Sequence, residues 1–150
     1  MKPCIFGVGS RHGGDDAVGL VVADHLRVSR QAREGEVEVR LVDDPSDIAM
    51  HAAPGRALII VDAVVGASPG NVRVLSVTEL QEREGAVSSH GFGVSHALRL
   101  AAALHGERLR TGIVAIEIAR PNASTSALSP AVAMAVEQAA SVALKLAREL

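Results

Sequence analysis

The sequence predicts an α/β protein: a three-layer sandwich whose twisted, mostly parallel sheet of about five strands has helices on both faces. Three observations predict it. Short apolar runs alternate along the chain with stretches of helical period. The run Ala57-Leu58-Ile59-Ile60-Val61-Asp62-Ala63-Val64-Val65 holds one polar residue, the pattern of a strand buried on both faces, as parallel strands are. No linker or composition shift divides the 150 residues, so 1–150 reads as a single domain.

The elements follow in order. Cys4 to Val8 is apolar and reads as the first strand. Asp15 or Asp16 can cap a helix running to about Arg30, with Val18, Val22 and Leu26 on one face. Val37 to Val42 alternates as a strand does, and Ser46 to His51 suits a short helix. Ala57 to Ala63 is the central strand, and Gly66 to Asn71 is a turn cluster. Val72 to Val77 is a further strand, and Glu79 to Ser89 is polar and loop-like. A helix from about Gly93 to His105 carries Val94, Leu98, Ala101 and Leu104 on one face, with Gly106 as its stop. Gly112 to Ile118 is the fifth strand, and Pro121 to Ser126 is a loop of small residues. Ser129-Pro130 starts the last helix, with serine as cap, proline in the first turn and a stripe of Val132, Val136, Ala139, Ala143 and Leu146.

Composition excludes several function classes. The chain is 48% hydrophobic but has no Trp, no Tyr and two Phe, so Ala, Val and Leu pack its core. At a net charge of −2 and without aromatic platforms, no nucleic-acid partner is expected. No apolar run approaches the ~20 residues of a membrane span, and the expected location is the cytoplasm. The single Cys4 can form no disulfide within the chain, which suits a reducing compartment; it reads as a small buried hydrophobe rather than a nucleophile.

The chemistry centres on Asp62. A carboxylate in an apolar strand is costly unless it sits at the strand's end, facing a cleft, a cation or a reaction. Asp16, after the first strand, and His90, before the third helix, can reach the same sheet edge. The loop Gly7-Val8-Gly9-Ser10-Arg11-His12-Gly13-Gly14-Asp15-Asp16 also suggests a nucleotide fold through its Gly-x-Gly. However, His12 stands where that motif needs its third glycine, and two aspartates sit where phosphate would dock. Such a loop attracts a cation. Against this, Asp15 or Asp16 can simply cap a helix, Asp62 can bond its own loop, and His90 can be a solvated residue. His12 lies near the proposed site, whereas His25, His96 and His105 read as structural or surface residues. Two carboxylates and an imidazole form an O,O,N set suited to a borderline divalent ion such as nickel or zinc. No His-Glu-x-x-His or Gly-x-Ser-x-Gly motif offers another hydrolase chemistry.

These blocks resemble the hydrogenase maturation endopeptidases. The resemblance is carried by Gly7-Val8-Gly9-Ser10 with Asp15-Asp16-Ala17-Val18-Gly19, by Leu58-Ile59-Ile60-Val61-Asp62-Ala63, by Ser89-His90-Gly91-Phe92-Gly93, and by Leu128-Ser129-Pro130. It implies an endopeptidase that removes the C-terminal extension of a nickel–iron hydrogenase large-subunit precursor after nickel insertion. The nickel would come with the precursor, and no organic cofactor is implied. Asp16, Asp62 and His90 match the family's metal-contacting positions, with Asp16 and Asp62 the catalytic candidates. Two departures fall on residues expected to bind substrate. Ser10 replaces the usual Asn, and Asp43-Asp44-Pro45-Ser46 replaces the usual Asp/Gly-Gly-Thr loop. The alternatives are a non-catalytic metal- or precursor-binding module and a nucleotide-binding domain.

Overall fold

A computed structural model of the chain describes residues 1–85, 93–106, 109–120 and 127–150. The strands are β1 (Cys4–Val8), β2 (Glu38–Val42), β3 (Ala57–Val65), β4 (Val72–Leu75) and β5 (Arg110–Ile118). The helices are α1 (Val18–Arg27), α2 (Arg30–Arg33), α3 (Asp47–Met50), α4 (Val77–Gly85), α5 (Val94–His105), α6 (Pro130–Met134) and α7 (Val136–Glu149). The strands form one sheet in the order β2-β1-β3-β5-β4. All neighbours are parallel except β4, which lies antiparallel to β5 with Val72 opposite Ile116.

Alternation sorts the side chains into two cores. Cys4, Phe6 and Val8 pack with Ile48, Leu80, Val94 and Leu98 beneath α3, α4 and α5. Ile5 packs on the opposite face with Val18, Val22, Leu26, Ala139 and Ala143 beneath α1 and α7. The three-layer expectation holds. Among the described residues, no helix is long and apolar enough to cross a membrane.

With almost no aromatic residues, the layers pack through small ones. A Cβ on Gly19 in α1 would lie 2.3 Å from the Val8 carbonyl oxygen and 2.5 Å from that of Val61. Helix and sheet backbones therefore touch directly at this point. Gly19→Ala must push α1 off the sheet and is expected to cost about 3 kcal/mol. Urea unfolding checks this; an unchanged midpoint would show that α1 can shift freely.

Several features differ from the sequence reading: β3 runs on to Val65, β4 ends at Leu75, β5 begins at Arg110, and the last helix is divided into α6 and α7. Glu79 to Ser89 is not a loop at its start, because α4 occupies Val77–Gly85. The helix begins with a capping box. Ser76 Oγ accepts the Glu79 N–H at 3.1 Å, the Glu79 carboxylate accepts the Ser76 N–H at 3.1 Å, and Leu80 is buried behind them. The first helix stops at Arg27, and Ser29 caps the separate turn α2 by accepting the Ala32 N–H at 3.3 Å. Leu104 does not share the buried face of α5. It is 64% exposed, since that face runs Val94, Ala97, Leu98, Ala101 and the last turn projects past the core. The expected loop Pro121 to Ser126 lies outside the described residues.

Candidate active site

β1 is the strand at which the chain changes direction across the sheet. It pairs with β2 on one side and β3 on the other, and the helices that follow β1 and β2 lie on opposite faces. A crevice opens outside the carboxyl ends of strands at such a point. Here it is a cleft of about 240 Å3 lined by Gly9, Ser10, Asp16, Asp43, Asp62 and Gly93, among others. A neighbouring groove of about 500 Å3 continues from it past Arg11, His12, Leu20 and Leu41.

Asp62 enters the cleft from β3. It is half-buried, and its Oδ1 accepts the Ala63 N–H at 2.8 Å. The loop-anchoring role and the cleft-facing role therefore coexist in one side chain. Asp16 enters from the loop after β1, on a 3-10 turn spanning Gly14–Ala17. The loop is tight: Gly9 N–H bonds the Val42 carbonyl at 3.2 Å, Gly13 N–H bonds Ser10, and Asp16 N–H bonds Gly13, both at 3.1 Å. A Cβ on Gly13 would lie 2.9 Å from Asp16 Cβ, and one on Gly9 would lie 2.4 Å from the Asp16 carbonyl oxygen. The glycines are there because the loop backbone folds directly onto Asp16. Burial raises the Asp16 pKa above the ordinary carboxylate value, and a hydrogen bond from the Ser10 backbone only partly offsets that rise.

The structure thus places Asp16 and Asp62 in the lining of one cleft. Ser10 and Asp43 line it too. Ser10 acts on Asp16 through its backbone, which any residue supplies, so the exchange of Asn for Ser leaves that bond in place. Asp44 does not appear in the cleft wall; its Oδ1 accepts the Ser46 N–H at 3.0 Å and shapes the turn into α3. His12 is exposed and lines the neighbouring groove. His25 and His96 are exposed on their helices. His90 lies outside the described residues. Among those described, no three His, Cys, Asp or Glu side chains gather as a metal site. Neither Asp15 nor Asp16 makes a capping bond to α1. Burial pushes the Cys4 thiol pKa up to about 12, which leaves it without thiolate character at neutral pH.

The family model described as HycI, hydrogenase maturation protease, matches residues 22–146. The chain belongs to the hydrogenase maturation protease family. The matched span includes Asp62 and His90 and begins after Asp16. The [NiFe] hydrogenase maturation protease HybD from Thermococcus kodakarensis is 26% identical over 98% of this chain and 99% of that one, with a TM-score of 0.75. The hydrogenase maturating endopeptidase HybD from E. coli is 21% identical over 99% and 93%, at a TM-score of 0.73. The endopeptidase HycI from Escherichia coli is 18% identical over 95% and 89%, at a TM-score of 0.75. At these identities the last two likenesses concern the fold alone. No curated protein matches the chain significantly by sequence.

A second intrastrand carboxylate of this maturation protease escaped the sequence reading. Glu117 sits in β5 opposite Val64, two positions beyond the Asp62–Ala115 pair and on the same face. It is 1% exposed. Its carboxylate accepts the Ser68 N–H at 3.0 Å and an Asn71 amide proton at 3.4 Å, and pairs with Arg73 at 2.7 Å. It fixes the turn between β3 and β4. The signal that marks Asp62, one acid in an apolar strand, was equally present at Ile116-Glu117-Ile118.

Proposed function

We propose that this peptidase removes the C-terminal extension of a nickel–iron hydrogenase large-subunit precursor once nickel has been inserted. The observation that carries this reading is the convergence of Asp16 and Asp62 on one cleft at the β1/β3 crevice of a hydrogenase maturation protease. The nickel is part of the substrate. Asp16 and Asp62 supply oxygen donors to it and His90 a nitrogen, a set that suits a borderline ion and leaves positions open for the precursor's own ligands. An ion so held polarises a nearby scissile carbonyl and favours ionisation of a water beside it. One of the two carboxylates then takes the proton of the attacking water. Ser10 and Asp43 form the wall along which the extension lies, and the adjoining 500 Å3 groove gives it a course away from the ion.

The test is cleavage of a purified large-subunit precursor, followed by mass spectrometry of the C-terminus. The nickel-loaded precursor is expected to lose its extension, and the nickel-free precursor to stay intact. A stable complex without cleavage would replace this reading with the precursor-binding module. No complex and no cleavage would reject hydrogenase precursors as clients.

A further inference from the structure

Asp15 and Asp16 are neighbours, yet the fold sends their carboxylates to different places. Asp16 lines the cleft. Asp15 turns to the other end of the chain, where its Oδ1 accepts the Ser129 N–H at 2.7 Å and its Oδ2 accepts the Ser129 hydroxyl at 2.8 Å. Ser129 is the residue before α6, with ψ 155° and Pro130 following it. A serine there ordinarily bonds back to its own helix. This one makes no such bond and gives both of its donors to Asp15. The partner is firmly placed, because α7 follows α6 after one residue and buries Ala139, Ala140, Ala143 and Ala147.

We infer that Asp15 is a positioning residue: the Asp15–Ser129 pair fixes the 3-10 turn that aims Asp16 into the cleft. The inference rests on the proposed role of Asp16 toward the precursor's nickel. The turn is held from two directions. Gly9 and Gly13 close on Asp16 from the loop side, and the C-terminal helices grip the preceding residue. Loss of the second hold lets the turn relax, and a displaced donor loses affinity for an ion it must meet at fixed distance. Partners that orient metal-contacting groups typically account for about 10–100-fold in affinity or activity.

The experiment compares Asp15→Ala, Ser129→Ala, the double variant and Ser129→Thr. Each is assayed for thermal midpoint, for Cd2+ affinity by calorimetry with the ion alone, and for kcat/KM on the nickel-loaded precursor. Asp15→Ala is expected to lower kcat/KM by about 10–100-fold and Ser129→Ala by about 10-fold. The double variant should be no worse than Asp15→Ala, and Ser129→Thr should restore most of the loss. Cd2+ binding should weaken in the same order. A pair that merely stabilises the fold would lower the midpoint yet leave kcat/KM and Cd2+ affinity of the folded protein unchanged, and that result overturns the inference. Ser129→Ala, which keeps the Asp15–backbone bond, supplies the answer if Asp15→Ala does not fold. Full activity in Asp16→Asn would instead reject the site itself, and the positioning role with it.

Discussion

Asp16→Asn is expected to lower precursor cleavage by about 10²–10⁴-fold while leaving the protein slightly more stable. The two effects have one cause. Burial raises the pKa of Asp16 in the folded protein, so its ionised form is disfavoured there. A raised pKa means that the folded state holds the proton to higher pH than the unfolded state. The resulting penalty is absent well below the ordinary value of 3.8, grows as pH rises through the folded value, and is complete above it. Asparagine keeps the shape and can still accept the Ser10 N–H, but carries no charge to bury. Because the cleft is open to solvent on one side, screening keeps the gain small, about 1–2 °C in Tm. Differential scanning calorimetry at pH 7 with the cleavage assay checks both signs. A variant that loses activity and stability together would show that Asp16 is a structural residue. A site that works against stability is what function demands of a buried charge.

Glu117→Ala carries the largest expected loss of stability. The side chain is buried, and its removal leaves the Ser68 N–H without its acceptor and Arg73 without its pair. Breaking a buried pair costs about 3–5 kcal/mol, but Arg73 is half-exposed and can be rehydrated. A loss of about 2–3 kcal/mol, or about 4–12 °C in Tm, follows. The same residue predicts an acid limb. Burial alone would raise the Glu117 pKa; the Ser68 N–H, the Asn71 amide and the charges of Arg73 and Arg83 together outweigh it and hold the pKa below 4.5. Glu38 is held low as well, chiefly by its bond to Arg56. For a lowered pKa the stabilisation is complete above the unfolded value and is lost as pH falls through the folded one. Unfolding midpoints should therefore be flat near neutrality and fall below about pH 4.5, less steeply in Glu117→Ala. Identical slopes in the two proteins would contradict the Glu117 assignment.

Local signals determined much of this protein in advance. Runs such as Ala57 to Val65 can bury both faces only in a central strand, so the layered fold follows from apolar pattern alone. Asp62 is not at the end of β3, which pairs with β5 as far as Val65; it meets the cleft because the neighbouring β1 stops pairing at Gly7 opposite Val61. The glycines between β1 and α1 similarly announce a loop packed tightly on itself. The beginning of α4 was legible too, in Ser76 and Glu79, but its low apolar content masked it; a capping box and one buried Leu80 sufficed. What pattern could not supply was the partner of each carboxylate. Asp15, Asp16, Asp62 and Glu117 are alike as letters, and each could cap, pair or react. Only the tertiary structure divides them, sending Asp15 to Ser129, Asp16 and Asp62 to the cleft, and Glu117 to the turn after β3. The reason is physical: backbone preference acts between near neighbours in sequence, whereas the fate of a charge depends on which donors the finished fold brings within about 3 Å of it.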